Sequence, residues 1–428
     1  MTIAVPTDTH WENLRELADQ LNAMTADSAW SLEPKPILRD ADAIVTHVEV
    51  CGRHGVGRLV QMLFDGEPNI LSIRSANLYE GRQEFGALGL CISYEDKSRD
   101  AVFCRVLDAV GQTTVKRVLC IPYFADDVRT ALALKEIFGV PLCTYIMDDQ
   151  NVCAGGIPDH LMRELLAKSR LRLAISPELS TVYGLKYGRR MWYMPPLAPV
   201  GLVPSRLVAP PGEADARHGI IIGNIWGKRW LDLLRNTVRD SGVTLTWHNS
   251  GEFRWLPCGK GDLLADSILP RDPLPEDVLI QTLRKTRFAV VPTGVLDESD
   301  DRRSIAQLSL PSRIPYMMAV SQIPILVLGS RDTGAARFVE HFGIGAVAGY
   351  EKEAFVEAVD YMNRPEVNLQ MRRKALTMAG RFTDVGAAEW IWQSLDRGEP
   401  IDGRYEDLMP ANRPDLSSLL SLRRALGS

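Results

Sequence analysis

The sequence predicts an α/β protein of two Rossmann-like, parallel-sheet domains facing each other across a cleft. Three observations carry that expectation. Short apolar runs alternate with helix-length segments through both halves of the chain. A glycine-bearing turn follows the first predicted strand of each half. A stretch rich in proline, 196–217, separates the halves.

Bulk properties narrow the class. A chain of 428 residues is too long for one core, so two domains are expected. Apolar residues at 46% and charged residues at 24% are ordinary for a globular protein. A net charge of −5 argues against a nucleic-acid partner. No apolar run is long enough to be an integral membrane segment, and the start, MTIAVPTDTH, lacks the basic and apolar regions of a signal peptide. A cytoplasmic protein, soluble or peripheral at a membrane, is expected. The seven cysteines are odd in number and contain no CxxC, which fits reduced thiols rather than a zinc site.

The elements follow in order. Thr9 to Glu12 has capping-box spacing, and Trp11, Leu14, Leu17, Ala18 and Leu21 line one helical face. This reads as a helix docked on the body. Residues 43–50 form the first strand, Cys51-Gly52-Arg53-His54-Gly55-Val56-Gly57 the glycine turn, and a helix starts near Arg58. Gly55 and Gly57 let the backbone approach a ligand closely. The spacing is not GxGxxG, so a dinucleotide fingerprint is not indicated. His54 and Arg58 read equally as ligand-facing groups or as exposed loop residues.

Strands at 69–73, 117–121, 141–147 and 171–175 then alternate with helices at 99–110, 126–138, 158–169 and 177–187. Asp148 and Asp149 fall at a strand's carboxyl end, where such sheets bind ligands. Either can accept a proton or bind a hydroxyl, or simply cap structure. After the linker, 219–222 is a strand, Gly223-Asn224-Ile225-Trp226-Gly227-Lys228 a second glycine turn, and a helix runs to about Asp240. A strand at 243–247, a helix at 275–285 and a strand at 288–291 follow, the last ending in Pro292-Thr293-Gly294. Residues 295–304, VLDESDDRRS, read as a charged loop, with Asp300 and Asp301 solvated rather than metal-binding.

The stretch 309–329, SLPSRIPYMMAVSQIPILVLG, carries the chemistry. Leu310-Pro311-Ser312-Arg313 is expected to open a helix with Pro311 just inside its start, and 323–328 to be a buried strand. Free amides at a helix start, the Ser312 hydroxyl and the Arg313 fork suit a phosphate. A helix at 333–341 and a strand at 346–348 come next, and Asp384 is expected to cap a helix bearing Ala387, Trp390, Ile391 and Leu395. The expected domains are 1–195, the linker 196–217, 218–382, a helix at 383–398 returning to the first domain, and a tail at 399–428.

Over roughly 43–398 the order of features resembles the GT-B glycosyltransferases, especially the large retaining family 4. Ala174-Ile175-Ser176-Pro177-Glu178 with Tyr187-Gly188, Met194-Pro195-Pro196, Gly223-Asn224 with Lys228, Leu274-Pro275-Glu276, and Leu310-Pro311-Ser312-Arg313 are similar to that family's successive segments. The resemblance implies polysaccharide-type glycosyl transfer from a nucleotide sugar held by the second domain to a glycan, lipid-linked or small-molecule acceptor held by the first. It implies Lys228 and Arg313 as leaving-group cations, with Arg229 beside them. Gly223, Asn224, Thr293, Gly294 and Ser312 would bind donor, and Gly55 and Gly57 would lie near the reaction centre. No metal and no cofactor beyond the nucleotide sugar is implied. Asn224 stands where the family has arginine, and Tyr316-Met317 where it has a ribose-binding glutamate; Glu298 is the candidate for the first glutamate of that pair. Two alternatives share the architecture: a nucleotide-sugar epimerase and a non-catalytic binding subunit. Oligomeric state is unspecified.

Overall fold

The structure, a computed structural model, describes residues 36–152, 155–212, 216–249 and 258–409. The helix expected from Trp11 and the leucine-rich end from Leu416 lie outside the described residues. The chain divides into two compact units. One holds the chain up to Pro195 and again from Gly386; the other is Pro196–Val385.

In the first unit the strands are β1 (Ala41–Thr46), β2 (Ile70–Arg74), β3 (Leu88–Cys91), β4 (Val115–Cys120), β5 (Leu142–Ile146), β6 (Leu171–Ala174) and β7 (Trp192–Tyr193). Among the described residues they form one sheet in the order β3-β2-β1-β4-β5-β6-β7, with every pairing parallel. All residues of β1 and β5 are buried. A parallel sheet covered on both faces has no wet side to alternate toward, so the polar members of these strands are buried with partners: Asp42 pairs with Arg117 at 2.6 Å, Thr46 Oγ1 donates to Val48 O at 2.8 Å and Thr144 Oγ1 hydrogen-bonds Ser169 Oγ at 2.7 Å. The helices are α1 (Gly55–Leu63), α2 (Arg99–Val110), α3 (Ala125–Phe138), α4 (Asp159–Lys168) and α5 (Pro177–Tyr187). The ends of α5 follow local chemistry: the Ser176 hydroxyl accepts from the Leu179 amide at 3.0 Å, Pro177 begins the first turn, and Gly188 closes with φ 63°.

The second unit contains β8 (His218–Ile222), α6 (Lys228–Val238), β9 (Thr244–His248), α7 (Lys260–Ala265), β10 (Ile268–Arg271), α8 (Glu276–Lys285), β11 (Ala289–Pro292), α9 (Arg303–Leu308), α10 (Arg313–Ser321), β12 (Ile325–Leu328), α11 (Gly334–Phe342), β13 (Gly345–Ala348), α12 (Lys352–Asn363) and α13 (Pro365–Ala379). Its sheet runs β10-β9-β8-β11-β12-β13 among the described residues, again all parallel. The core between α6, α12 and the sheet gathers Trp230, Leu234, Trp247, Phe288, Leu326 and Phe355.

The last helix, α14 (Ala387–Arg397), belongs to the first unit. Trp392 packs on Phe64 with ring centroids 5.3 Å apart, and the Arg117 guanidinium lies 4.2 Å over the Trp392 ring. Its N-cap is Gly386, not Asp384. Asp384 accepts from the Val200 amide at 2.9 Å instead, so its carboxylate fastens a distant loop of the second unit.

Other expectations shift locally. The 309–329 helix starts at Arg313, two residues after Pro311. Ser312 is already helical (φ −56°, ψ −26°), and the Ile314 amide donates to Pro311 O at 2.9 Å, a tight turn ahead of the helix. Pro315 fits inside the first turn because its missing N–H would be an orphan there. The strand begins at Ile325 rather than Ile323, because Pro324 donates no ladder bond and Gln322 takes a left-handed conformation, φ 58°. The strands β3, β7 and β10 and the helices α7 and α9 lie outside the expected elements; each is short, and β3 carries Gly89.

Candidate functional site

In a doubly wound sheet, ligands bind where neighbouring strands send their connections to opposite sides. In the second unit that point lies between β8 and β11. Gly223 and Asn224 follow β8, and Thr293 and Gly294 follow β11. Gly223 turns with φ 74°, a conformation that costs glycine nothing. A Cβ on it would sit 3.4 Å from Arg313 Nη1. Arg313 Nη1 in turn donates to the Asn224 carbonyl at 2.6 Å. The turn after β8 and the start of α10 are thus in direct contact, joining two segments 89 residues apart.

Arg313 is half-buried, and its Nε is enclosed with no hydrogen-bond partner. Burial pulls its pKa down to about 10. No carboxylate pairs with it among the described residues. The start of α10 has no side-chain cap either. At that start the Ile314 amide is taken by Pro311 O and Pro315 has no N–H, so the desolvated Arg313 cation is the group that an anion would relieve. Ser312 is half-buried there, and the Ser309 hydroxyl just upstream is buried without a partner.

The start of α6 is different. Its Lys228 amide donates to Asp301 Oδ2 at 2.9 Å, so the protein's own carboxylate fills that helix start. The two aspartates expected to be solvated therefore differ: Asp301 is exposed, whereas Asp300 is not. Asp300 is buried and takes hydrogen bonds from Trp230 Nε1 at 2.8 Å and from the Leu296 and Arg302 amides. Arg229 pairs with Asp297 at 2.7 Å. The Lys228 side chain is exposed and has no ion-pair partner among the described residues. Glu298 is exposed on the loop. Thr293 and Gly294 are buried: a Cβ on Gly294 would meet Asp300 Oδ2 at 2.1 Å, so packing alone demands glycine there. No cluster of histidine, cysteine or acidic side chains able to hold a metal occurs among the described residues.

In the first unit the corresponding point lies between β1 and β4. His47 follows β1 and Tyr123 follows β4, and their rings lie 4.1 Å apart. The Tyr123 hydroxyl donates to Asp148 Oδ2, beyond β5, at 2.6 Å. Burial, reinforced by the Asp148 charge, pushes the Tyr123 hydroxyl's pKa well up, so it stays a proton donor. His47 is buried with Nδ1 unpartnered, and burial holds its pKa well below the usual histidine value. Sequence reading missed His47 and Tyr123, since only sheet order brings them together.

The glycine turn resolves differently from its expectation. Gly55 and Gly57 lie in the first turn of α1, not in a loop. His54 is the N-cap: Nδ1 accepts from the Gly57 amide at 3.3 Å and Nε2 contacts Glu49 O at 2.8 Å, which fixes the proton on Nε2. Both ring nitrogens are committed, so His54 holds structure, while Arg58 is exposed. A Cβ on Gly57 would come within 2.4 Å of Cys51 O. Asp149 is fully buried, and its Oδ1 accepts from the Asn151 and Val152 amides at 3.0 and 2.7 Å and from the Tyr183 hydroxyl at 3.1 Å. Asp148, by contrast, is half-buried.

No family model matches the sequence, and a comparison with curated proteins finds no match. Solved structures do match. The crystal structure of Anabaena Alr3699/HepE in complex with UDP superposes with a TM-score of 0.58 over 83% of this chain and 100% of that one, at 12% identity. A crystal structure of UDP-N-acetylglucosamine 2-epimerase gives 0.50 over 89% of this chain and 99% of that one, also at 12% identity. Likeness at such identity establishes the fold: this chain has the GT-B architecture of two Rossmann-like parallel-sheet domains. No helix among the described residues is long and apolar enough to cross a membrane.

Proposed function

We propose that this chain is a glycosyltransferase moving a sugar from a nucleotide-diphosphate donor to a hydroxyl of a glycan, lipid-linked or small-molecule acceptor. One observation carries the reading. Arg313, desolvated and without a carboxylate partner among the described residues, is tied to the turn after β8 at the start of α10. Such an arrangement at a sheet's switch point suits a diphosphate.

The chemistry follows from charge. When the bond from the sugar's anomeric carbon to the diphosphate breaks, negative charge builds on the leaving oxygens. Arg313, the exposed Lys228 ammonium and the Ser312 hydroxyl stabilise it, a set that calls for no metal. The acceptor oxygen bonds to the anomeric carbon as the carbon–diphosphate bond breaks, and its proton passes to the departing diphosphate oxygen. Asp148, held by Tyr123, binds that hydroxyl in the first unit, and Asp149 keeps the loop in place. The resemblance to family 4 supports retention of configuration. The UDP complex of the HepE structure supports a uridine diphosphate donor as the first to test.

A thermal-shift series with UDP, GDP and dTDP tests the reading. At 100 times its dissociation constant a ligand adds about 2.7 kcal/mol of stability. A rise in Tm with at least one nucleotide is expected; none with any ends the proposal. The likeness to the 2-epimerase favours one other reading, a nucleotide-sugar epimerase. Release of nucleoside diphosphate together with a glycosylated product separates transfer from epimerisation, which yields no such product.

A further inference from the structure

The loop that follows β11 packs on the turn that follows β8, so it lies where the two strands of the second unit's switch point end. Its side chains hold it there in succession. Asp297 pairs with Arg229 at 2.7 Å, Asp300 accepts from Trp230 Nε1 at 2.8 Å, and Asp301 Oδ2 accepts from the Lys228 amide at 2.9 Å. Two glycines show how closely the loop sits. A Cβ on Gly294 would stand 2.1 Å from Asp300 Oδ2, and one on Gly227 would stand 2.9 Å from Asp301 Oδ1. Arg302 comes next in the chain. Its amide donates to Asp300 Oδ1 at 3.1 Å, and its Nε donates to Trp226 O at 3.3 Å.

Two guanidinium groups from separate segments therefore meet one turn. Arg313 takes the Asn224 carbonyl and Arg302 the Trp226 carbonyl, two residues further on. Both arginines are half-buried, and burial pulls the pKa of each down to about 10. Arg372 shares that shift, but its guanidinium is fully buried against Thr286 O, Asn368 Oδ1 and Ser321 O, ahead of the amino ends of β11 and β12. Ligands of such sheets bind at the carboxyl ends, where Arg302 and Arg313 stand.

The helix starts at this point leave phosphates to side chains. Asp301 takes the Lys228 amide at α6, and the Ile314 amide at α10 goes to Pro311 O. A carbonyl accepts from one of a guanidinium's five donors and neutralises none of its charge. A diphosphate spreads its charge over two phosphate groups, and each suits a fork of its own.

We propose that Arg302 is a second fixed guanidinium of the diphosphate site, gripping the nucleoside diphosphate together with Arg313 across the turn 223–228. The assignment rests on the function proposed above. It gives the charged loop a division of labour: the three aspartates fasten it to α6 and its turn, and Arg302 meets the ligand.

Calorimetric titration of UDP, GDP and dTDP into the parent, R302Q, R302K and R313A, at one ionic strength, tests the assignment, with urea unfolding of each protein alongside. R302Q removes the charge, and R302K keeps it. R302Q is expected to fold and to bind the parent's nucleotide roughly tenfold or more weakly, the effect of losing a charge-assisted hydrogen bond, while R302K recovers most of the affinity. Binding by R302Q equal to the parent's, equally weak binding by R302Q and R302K, or failure of R302Q to fold would each overturn the assignment, the last two by marking a structural tie to Trp226. The arms also separate the two proposals. Weak binding by R313A with parent-like binding by R302Q removes Arg302 alone and leaves glycosyl transfer standing. Absence of nucleotide binding by the parent removes both.

Discussion

Arg313 Nη1 and the Asn224 carbonyl lie 2.6 Å apart, the contact by which the start of α10 meets the turn after β8. A carbonyl satisfies one donor of a guanidinium but not its charge. Replacing Arg313 by Ala removes the cation while deleting one modest hydrogen bond, so stability should change by about 1 kcal/mol or less. Turnover should fall roughly 10²–10³-fold, the usual cost of losing one preorganised charge stabiliser. Initial rates and urea unfolding on the same preparations check this. Loss of folding in step with activity contradicts the role.

The glycine turn of the first unit separates two kinds of glycine. A Cβ on Gly52 meets nothing within 4 Å, whereas one on Gly57 falls 2.4 Å from Cys51 O and 2.8 Å from Cys51 N. Gly57→Ala should destabilise by about 1–3 kcal/mol, as overpacking against fixed backbone does. Gly52→Ala should stay within about 0.5 kcal/mol. Guanidinium unfolding of the two variants measures the difference.

Asp127 supplies a pH dependence. Its Oδ2 accepts from the Tyr123 and Phe124 amides at 2.9 and 2.7 Å, and Ser75 Oγ bonds Oδ1. Burial outweighs those bonds and raises its pKa from 3.8 to about 7. A raised folded pKa favours the protonated form, so its contribution is full below pH 3.8 and lost as pH rises toward 7. The loss is about 4 kcal/mol, from about 3 pKa units at 1.36 kcal/mol each. Relative to Asp127→Asn, the parent should therefore lose stability between pH 4.5 and 8. Urea midpoints of both proteins across that range check the sign, and a rising difference contradicts it.

Much of the fold was legible because it is written locally. The buried, mostly apolar strands β1 and β5, the Ser176-Pro177 start and Gly188 stop of α5, and Gly139 closing α3 at φ 66° all depend on neighbours in sequence. The Gly223–Asn224 turn and the Leu310–Arg313 stretch were each visible, and the structure brings them together. Long-range pairing hid the rest. Asp301 caps α6 from 73 residues away, Asp384 serves Val200 from 184 residues away, and the His47–Tyr123 stack exists only because β1 and β4 are sheet neighbours. Gln322 adopts the left-handed conformation usual for glycine, φ 58°, in company with its two amide bonds to Arg206 and Val208, partners the sequence places 116 and 114 residues away.

Calorimetric titration of UDP, GDP and dTDP into the parent and the Arg313→Ala variant, at one fixed ionic strength, tests the central claim most directly. The parent should bind at least one of the three, and the variant should bind that nucleotide at least tenfold more weakly. Equal affinity in both proteins, or no binding to the parent, would contradict a diphosphate grip by Arg313 at the start of α10.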